Sequence, residues 1–205
     1  PFDNHKKGIE KIVRQYPEVT FLFHGIVEDA GTAGVKNNIN WLDTLMANNK
    51  NVYYSIDAGL HIYGFKKSHL GKVVSKEEML PYLKAHFKEQ LQTDLSYYKN
   101  IIEKYPDRFL RGTDRLHITH FDQEISALLD EYTRAFIGRL SPSVQEKFAH
   151  LNADTLIKKW YYKQMNNLLK KITKLLFILV TIAIVGYVTW FIYDKLATSI
   201  IEKKI

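Results

Sequence analysis

The chain has 205 residues, of which 46% are hydrophobic and 13% aromatic; this suits one domain with a packed core and excludes a disordered polymer. It has no cysteine, which excludes disulfides, thiolate metal sites and cysteine nucleophiles. Residues 1–157 carry 20 basic and 20 acidic side chains, so the net charge of +7 comes from residues 158–205, with nine lysines against two acids. A neutral domain with a basic tail excludes a nucleic-acid-binding surface.

The first part of the chain predicts two strands that alternate with helices. Residues 5–17 have helical periodicity that ends at a proline, and the compact apolar run VTFLFHG, residues 19–25, predicts the first strand. Residues 39–49 predict a short amphipathic helix. The segment NVYYSIDAG, residues 51–59, predicts the second strand.

A third strand and further helices are predicted after a lysine-rich loop. Ser75 and Glu78 form a capping-box pattern, which indicates the start of a helix. The segment RFLRGTD, residues 108–114, predicts the third strand. Helices are expected over residues 80–106, over residues 122–139 and from Pro142 onward, where proline occupies its favoured first position.

Alternating strands and helices predict an α/β fold with a parallel sheet. Ligands of such sheets bind at the carboxyl ends of the strands. His24, Asp57 and Asp114 follow the apolar cores of the three predicted strands. Asp114 is therefore expected where such a fold places its chemistry.

Residues 175–193 contain no charged side chain and predict a single transmembrane helix. At about 1.5 Å per residue this segment is roughly 28 Å long, close to the thickness of the hydrocarbon core of a bilayer. Six lysines precede it in the basic juxtamembrane segment 158–174, while the short tail 194–205 has three lysines and two acids. The heavier basic side predicts that residues 1–157 lie in the cytoplasm and that the lysines contact anionic lipid.

Four segments together carry a family resemblance. YPEVTFLFHG, NVYYSIDAG, YPDRFLRGTDR and LSPSVQEKFAHLNADTLI resemble, in this order, the C-terminal part of the amidohydrolase-related family of metal-dependent hydrolases and decarboxylases. The resemblance covers roughly residues 5–157. It implies the C-terminal portion of a (β/α)8 TIM barrel, with about three parallel strands and their helices, followed by the transmembrane helix.

The resemblance also implies roles for individual residues. Asp114 matches the aspartate of the eighth strand, which binds the metal and takes a proton from its bound water, and His24 matches the catalytic, substrate-binding histidine of the sixth strand. Arg115 and His61 are further candidates for binding a small-molecule substrate. The implied cofactor is a divalent ion, Zn²⁺ or alternatively Mn²⁺.

The chain departs from the family pattern in its histidines and its length. It has no His-x-His pair, and a complete barrel needs about 250 residues and eight strand–helix units. With Pro1 as its first residue, the chain is expected to be the last part of a barrel whose first five strands are missing or are supplied by a partner fragment.

Other interpretations of these residues stay open. Asp57 is expected to be a loop or capping residue rather than a ligand. His117 and His120 would bind a metal as a pair if helical, but the sequence shows no third ligand nearby. The first functional hypothesis is a membrane-anchored metal-dependent hydrolase or decarboxylase, incomplete in this chain. The second is a non-catalytic membrane-anchored barrel remnant that acts as a binding or scaffold protein.

Overall fold

The computed structural model describes residues 3–25, 31–57, 75–113, 115 and 118–202. These residues form two compact units, Pro1–Asp154 and Thr155–Ile205. The strands are β1 (Phe21–His24), β2 (Val52–Ile56) and β3 (Phe109–Arg111). The helices are α1 (Asp3–Gln15), α2 (Gly31–Asn48), α3 (Lys76–Lys104), α4 (Gln123–Ile137), α5 (Pro142–Glu146) and α6 (Asn152–Glu202).

The three strands form one parallel sheet in the order β1-β2-β3. Each strand is followed by at least one helix along the chain, as the alternating pattern predicts. The α/β architecture with a small parallel sheet is therefore confirmed, and its assignment to the C-terminal portion of a TIM barrel stays a prediction.

One face of the sheet packs against the helices. Val52, Tyr54 and Ile56 of β2 and Phe109 of β3 are at most 1% exposed. They share a core with apolar side chains of α1 to α4, and Phe136 of α4 is fully buried in it. Burying side chains of this size stabilises the fold by about 1.5–3 kcal/mol each.

The opposite face of the sheet becomes more exposed from β3 towards β1. Leu110 of β3 is buried, Tyr53 and Ser55 of β2 are partly buried, and Leu22 of β1 is 51% exposed. Side chains alternate between the two faces along a strand, so His24 and Ser55 lie on this second face. We call it the open face.

Two asparagine side chains fix the connections around the sheet. Asn51 donates from Nδ2 to the backbone oxygens of Val13, Tyr16 and Val19, at 3.0–3.2 Å, where α1 ends and the chain enters β1. Buried or partly buried carbonyls need such donors because helix ends leave backbone groups without intrahelical partners.

The second asparagine, Asn152, lies at the start of α6. Its Nδ2 donates to the backbone oxygens of Pro106 and Phe109, both at 2.8 Å. Asn152 is 5% exposed. Asn152, which belongs to the fourth segment of the family resemblance, therefore holds the start of β3 in place.

A buried polar contact joins α3 and α4. The Tyr132 hydroxyl donates to Asp94 Oδ2 at 2.6 Å, and Gln90 Nε2 donates to Asp94 Oδ1 at 2.8 Å. Burial, together with the neighbouring Asp94 carboxylate, raises the pKa of Tyr132 well above its usual value. The tyrosine therefore stays neutral and keeps the carboxylate paired.

The helices differ from the prediction mainly at their starts. Ser75 caps α3 by accepting from the Glu78 backbone N–H, so this helix begins at Lys76, where the capping box predicts its start. Helix α2 begins at Gly31, eight residues before the expected start. Its first turn has two glycines and no apolar periodicity, so the sequence does not predict a helix at these residues.

The helical run Pro142–Tyr193 is the one stretch, among the residues described, that is long and apolar enough to cross a membrane. Its most apolar window is entirely unburied. A helix in the core of a soluble protein is mostly buried, so this helix is a candidate membrane span.

Candidate functional site

The register of the parallel sheet brings two sequence-distant polar residues to the same edge. His24, the last residue of β1, lies opposite Ser55 of β2. Asp57 follows β2 directly and lies on the same face as Ser55 because the two are separated by one residue. The carboxyl ends of β1 and β2 therefore place His24 and Asp57 side by side.

The two side chains form an ion-pair or hydrogen-bond contact. His24 Nε2 lies 3.1 Å from Asp57 Oδ2, and the side chains are 45% and 3% exposed respectively. Placing a carboxylate in a buried position costs free energy unless a donor pairs with it. His24 Nε2 lies at hydrogen-bonding distance from that carboxylate, and the imidazole ring remains accessible to solvent.

Gly112 closes the site from the side of β3. Its backbone N–H donates to the oxygen of Ile56 at 2.8 Å, which extends the pairing of β2 and β3. A Cβ atom at Gly112 would lie 1.9 Å from Asp57 Oδ1 and 2.6 Å from Ser55 Oγ. Only glycine permits this close approach of the backbone to the Asp57 carboxylate.

The sequence-predicted site residues have different outcomes. Asp114 and His61 lie outside the described residues, as does His117, so their roles stay predictions. His24 lies at the carboxyl end of β1, where the sequence predicts it. His120 is buried in a short 3₁₀ turn, Ile118–Phe121.

Arg115 contacts helix α4. Its guanidinium donates to Ser126 Oγ and to Asp130 Oδ1, each at 2.6 Å, and its side chain is 18% exposed. These contacts hold the chain after β3 against α4. The guanidinium therefore has two partners within the fold. The substrate-binding role expected for Arg115 stays a prediction.

The described residues do not by themselves fit a catalytic metal ion. A catalytic zinc takes three protein ligands and an open position. No three His, Asp or Glu side chains lie close enough together to hold one ion in the part of the chain that the structure describes. His24 and Asp57 supply two candidate ligands, and Asp114, on which the expected metal site depends, lies outside that part.

The contact between Asp57 and His24 is the feature of this site that sequence reasoning missed. The segment that contains Asp57, SIDAG, looks like a strand end with a capping aspartate, which is a local interpretation. The pairing with His24 depends on the register between two strands far apart in the sequence. A usable signal was present, since both residues immediately follow apolar strand cores.

A second concave surface lies between α2 and α3, with a volume of about 480 Å³. Lys104 Nζ and the Tyr105 hydroxyl both donate to Asp43 there, at 2.7 and 2.6 Å. Burial alone would raise the pKa of Asp43, but these two donors outweigh it and the pKa is lowered. Asp43 of α2 and Lys104 of α3 pair in this groove and so join the two helices.

No protein family, no curated protein and no solved structure matches the chain. The amidohydrolase resemblance therefore depends on the four quoted segments alone. The candidate site at the strand ends consists, among the described residues, of His24, Asp57 and Gly112.

Proposed function

We propose that this chain is the C-terminal part of a membrane-anchored, metal-dependent hydrolase of the amidohydrolase type that acts on a small molecule. The observation that supports it is the His24–Asp57 pair, 3.1 Å apart at the carboxyl ends of neighbouring parallel strands. Parallel α/β sheets carry their chemistry at this edge. In this proposal the buried Asp57 carboxylate orients the imidazole of His24, and the accessible imidazole transfers the proton.

The two faces of the sheet support a barrel. In a (β/α)8 barrel the helices cover the outer face and the inner face meets the other strands. Here the face of Tyr54 packs on the helices, while Leu22 on the open face is half exposed. We infer that further strands, from the same protein or from a partner fragment, pair with β1 and cover this face.

The chemistry assigned to the described residues is proton transfer. When Nε2–H of His24 donates to Asp57, Nδ1 carries the lone pair that can accept a proton from the attacking water or hydrogen-bond the substrate. Asp57 fixes that tautomer and stabilises the imidazolium once it forms. Gly112 keeps space for the carboxylate by carrying no side chain.

The metal expected from the resemblance is Zn²⁺ or Mn²⁺, and in this family it supplies the activated water. The two described candidate ligands are too few to hold such an ion. We therefore assign no step to the metal, and the proposed ligand Asp114 is tested separately.

The alternative function is a non-catalytic membrane scaffold. The half-exposed Leu22 and the open edge of β1 favour it, because such a strand can pair with a segment of another protein without any chemistry. Under this alternative Asp57 and His24 only stabilise the sheet edge.

Enzyme and scaffold are distinguished by variants introduced at the natural locus. Membranes that carry the protein are assayed with a panel of esters, lactones and amides in Zn²⁺ or Mn²⁺. We expect Asp114→Asn and His24→Ala to lower hydrolysis at least a hundredfold, in the range of a lost general base. Asp57→Asn should lower kcat more than it changes KM, because a positioning residue acts through His24.

The matched control is His150→Ala, which removes an exposed imidazole from a helical turn remote in sequence from the strand ends. It should leave the rates unchanged. Equal rates for His24→Ala, Asp114→Asn and the control, in membranes with equal amounts of protein, would refute the enzyme and leave the scaffold.

We further propose that residues 175–193 span the membrane with residues 1–157 in the cytoplasm. The length of the apolar segment and its unburied surface support the span, and the lysines before it support the orientation. Aromatic residues near Trp190 are then expected at the outer interface, and the six preceding lysines at anionic headgroups.

Two measurements test the anchor. Carbonate extraction should leave the chain in the membrane pellet, and release into the supernatant would contradict the span. Protease added to intact cells should cut a tag placed after Ile205 and leave the domain untouched. The reverse pattern would contradict the orientation.

A further inference from the structure

The first half of α6 carries an apolar stripe with coiled-coil spacing. The stripe residues follow one another at alternating intervals of four and three, which is the heptad pattern of positions a and d. We define the stripe as Tyr161, Met165, Leu168, Ile172, Leu175 and Leu179. Each of these side chains is 37–58% exposed.

Two lysines of this segment lie on the face opposite the stripe. Lys163 and Lys170 are seven residues apart and, at 100–103° per residue, fall on the face opposite the stripe. Lys158, three residues before Tyr161, ends the stripe. The segment is therefore amphipathic, with the apolar stripe on one face and lysines on the opposite face.

Lipid does not cover the first half of this stripe, Tyr161, Met165 and Leu168, if residues 175–193 span the bilayer. Helix α6 is continuous from Asn152 to Glu202. Tyr161 then lies about 21 Å along the axis from Leu175, whereas the headgroup region extends only about 6 Å beyond the hydrocarbon core. A stripe that projects this far into water needs a protein partner.

We infer that residues 161–179 form a parallel two-stranded coiled coil with a second copy of this chain. The inference rests on the proposed membrane span, since the span gives all copies the same direction and places their stripes at the same height. Ile172 at an a position with Leu168 and Leu175 at d positions is the combination that favours two parallel strands.

The flanking positions accept a second copy without charge repulsion. Lys171 flanks the stripe on one side, and the residue it meets in a parallel partner is Leu176, five positions later. The stripe has fewer than three heptads and would be marginal for free peptides. Confinement of both chains to one membrane raises their effective concentration and offsets that deficit.

The absence of cysteine allows a direct test by single-cysteine cross-linking of the full chain in membranes. A disulfide needs Cα atoms within about 7 Å, a distance that a and d positions of a coiled coil meet and outer positions do not. The stripe variants are Met165→Cys, Leu168→Cys and Ile172→Cys. The matched outer variants are Lys163→Cys, Asn166→Cys and Lys170→Cys.

After mild oxidation we expect the stripe variants to give at least five times more disulfide dimer than the outer variants. Adding Leu168→Lys to Met165→Cys should reduce the dimer to the level of the outer variants, and adding Lys163→Leu should not. Equal cross-linking at all six positions, a maximum at Lys163 or Lys170, or no dimer at any position would overturn the coiled coil.

Carbonate extraction of the same membranes separates the two proposals. Chain that stays in the pellet without a cross-linking pattern keeps the span and overturns the coiled coil. Chain that is extracted but still cross-links along the stripe overturns the span and supports the coiled coil on its own.

Discussion

Replacing Gly112 with alanine puts a methyl group where the structure has no room for it. The added Cβ would lie 1.9 Å from Asp57 Oδ1 and 2.6 Å from Ser55 Oγ, so either the Asp57 carboxylate or the backbone of β3 must move. Moving the carboxylate breaks its contact with His24. Moving the backbone weakens the hydrogen bond from Gly112 N to Ile56 O.

The loss of folding stability can be calculated from these two movements, of the Asp57 carboxylate or of the β3 backbone. Overpacking a well-packed site costs about 1–3 kcal/mol, and a lost buried hydrogen bond adds about 1 kcal/mol. We therefore expect Gly112→Ala to lower the free energy of unfolding by about 2–4 kcal/mol. With an m-value of about 2 kcal/mol per molar urea, the midpoint should fall by about 1–2 M.

The assay is urea unfolding of the full chain in mild detergent, followed by near-ultraviolet circular dichroism. Gly8→Ala is the matched control, because a Cβ at Gly8 of α1 meets nothing within 4 Å. That change should be neutral or stabilise the protein by up to about 1 kcal/mol, since alanine favours a helix over glycine. A Gly112→Ala midpoint equal to wild type would refute the close approach of Gly112 to Asp57.

Three further predictions concern buried contacts and the metal. Asn152→Ala should destabilise the domain by about 2–4 kcal/mol in the same urea assay, because two backbone carbonyls lose their donor; the exposed Asn167→Ala is the control, and equal midpoints would contradict this. The raised pKa of Tyr132 beside Asp94 contributes stability that is present below about pH 10 and lost as the pH rises, by about 1.4 kcal/mol per unit, because only the unfolded chain ionises. Urea midpoints measured from pH 9 to 11 should fall less steeply for Tyr132→Phe, and parallel slopes would contradict the assignment. Calorimetric titration of the 205-residue chain with Zn²⁺ or Mn²⁺ should show weak binding and no turnover, whereas a tight stoichiometric site that survives Asp114→Ala would refute the expected metal shell.

The strands and most helices could be predicted from the sequence because their signals are local. The apolar run 19–25 contains β1, and Ser75 caps the helix that its pattern predicts. The start of α2 could not be predicted, because its first residues are Gly-Thr-Ala-Gly, which have neither a cap nor an apolar period. Packing of the later Leu42 and Met46 in the core stabilises that helix instead.

The candidate site was predictable only in part. His24 was proposed because it ends an apolar strand and matches a histidine of the family that the sequence resembles, and its catalytic role stays a prediction. The partner of His24 was not identified, because the register that brings Asp57 within 3.1 Å is a property of the whole sheet. Arg115 shows the converse, since a basic residue beside a predicted site is held by Ser126 and Asp130 of a helix that lies later in the chain.

The three hydrogen bonds that Asn51 Nδ2 donates, here called the asparagine bridge, couple the end of α1 to the start of β1. The three carbonyl partners lie 32–38 residues earlier in the chain, so the bridge forms only after that long loop has closed. Loss of the bridge releases the end of α1 and the start of β1 together. The end of α1 and the start of β1 should therefore exchange their amide hydrogens as one cooperative unit, so the strand that carries His24 opens together with the helix before it.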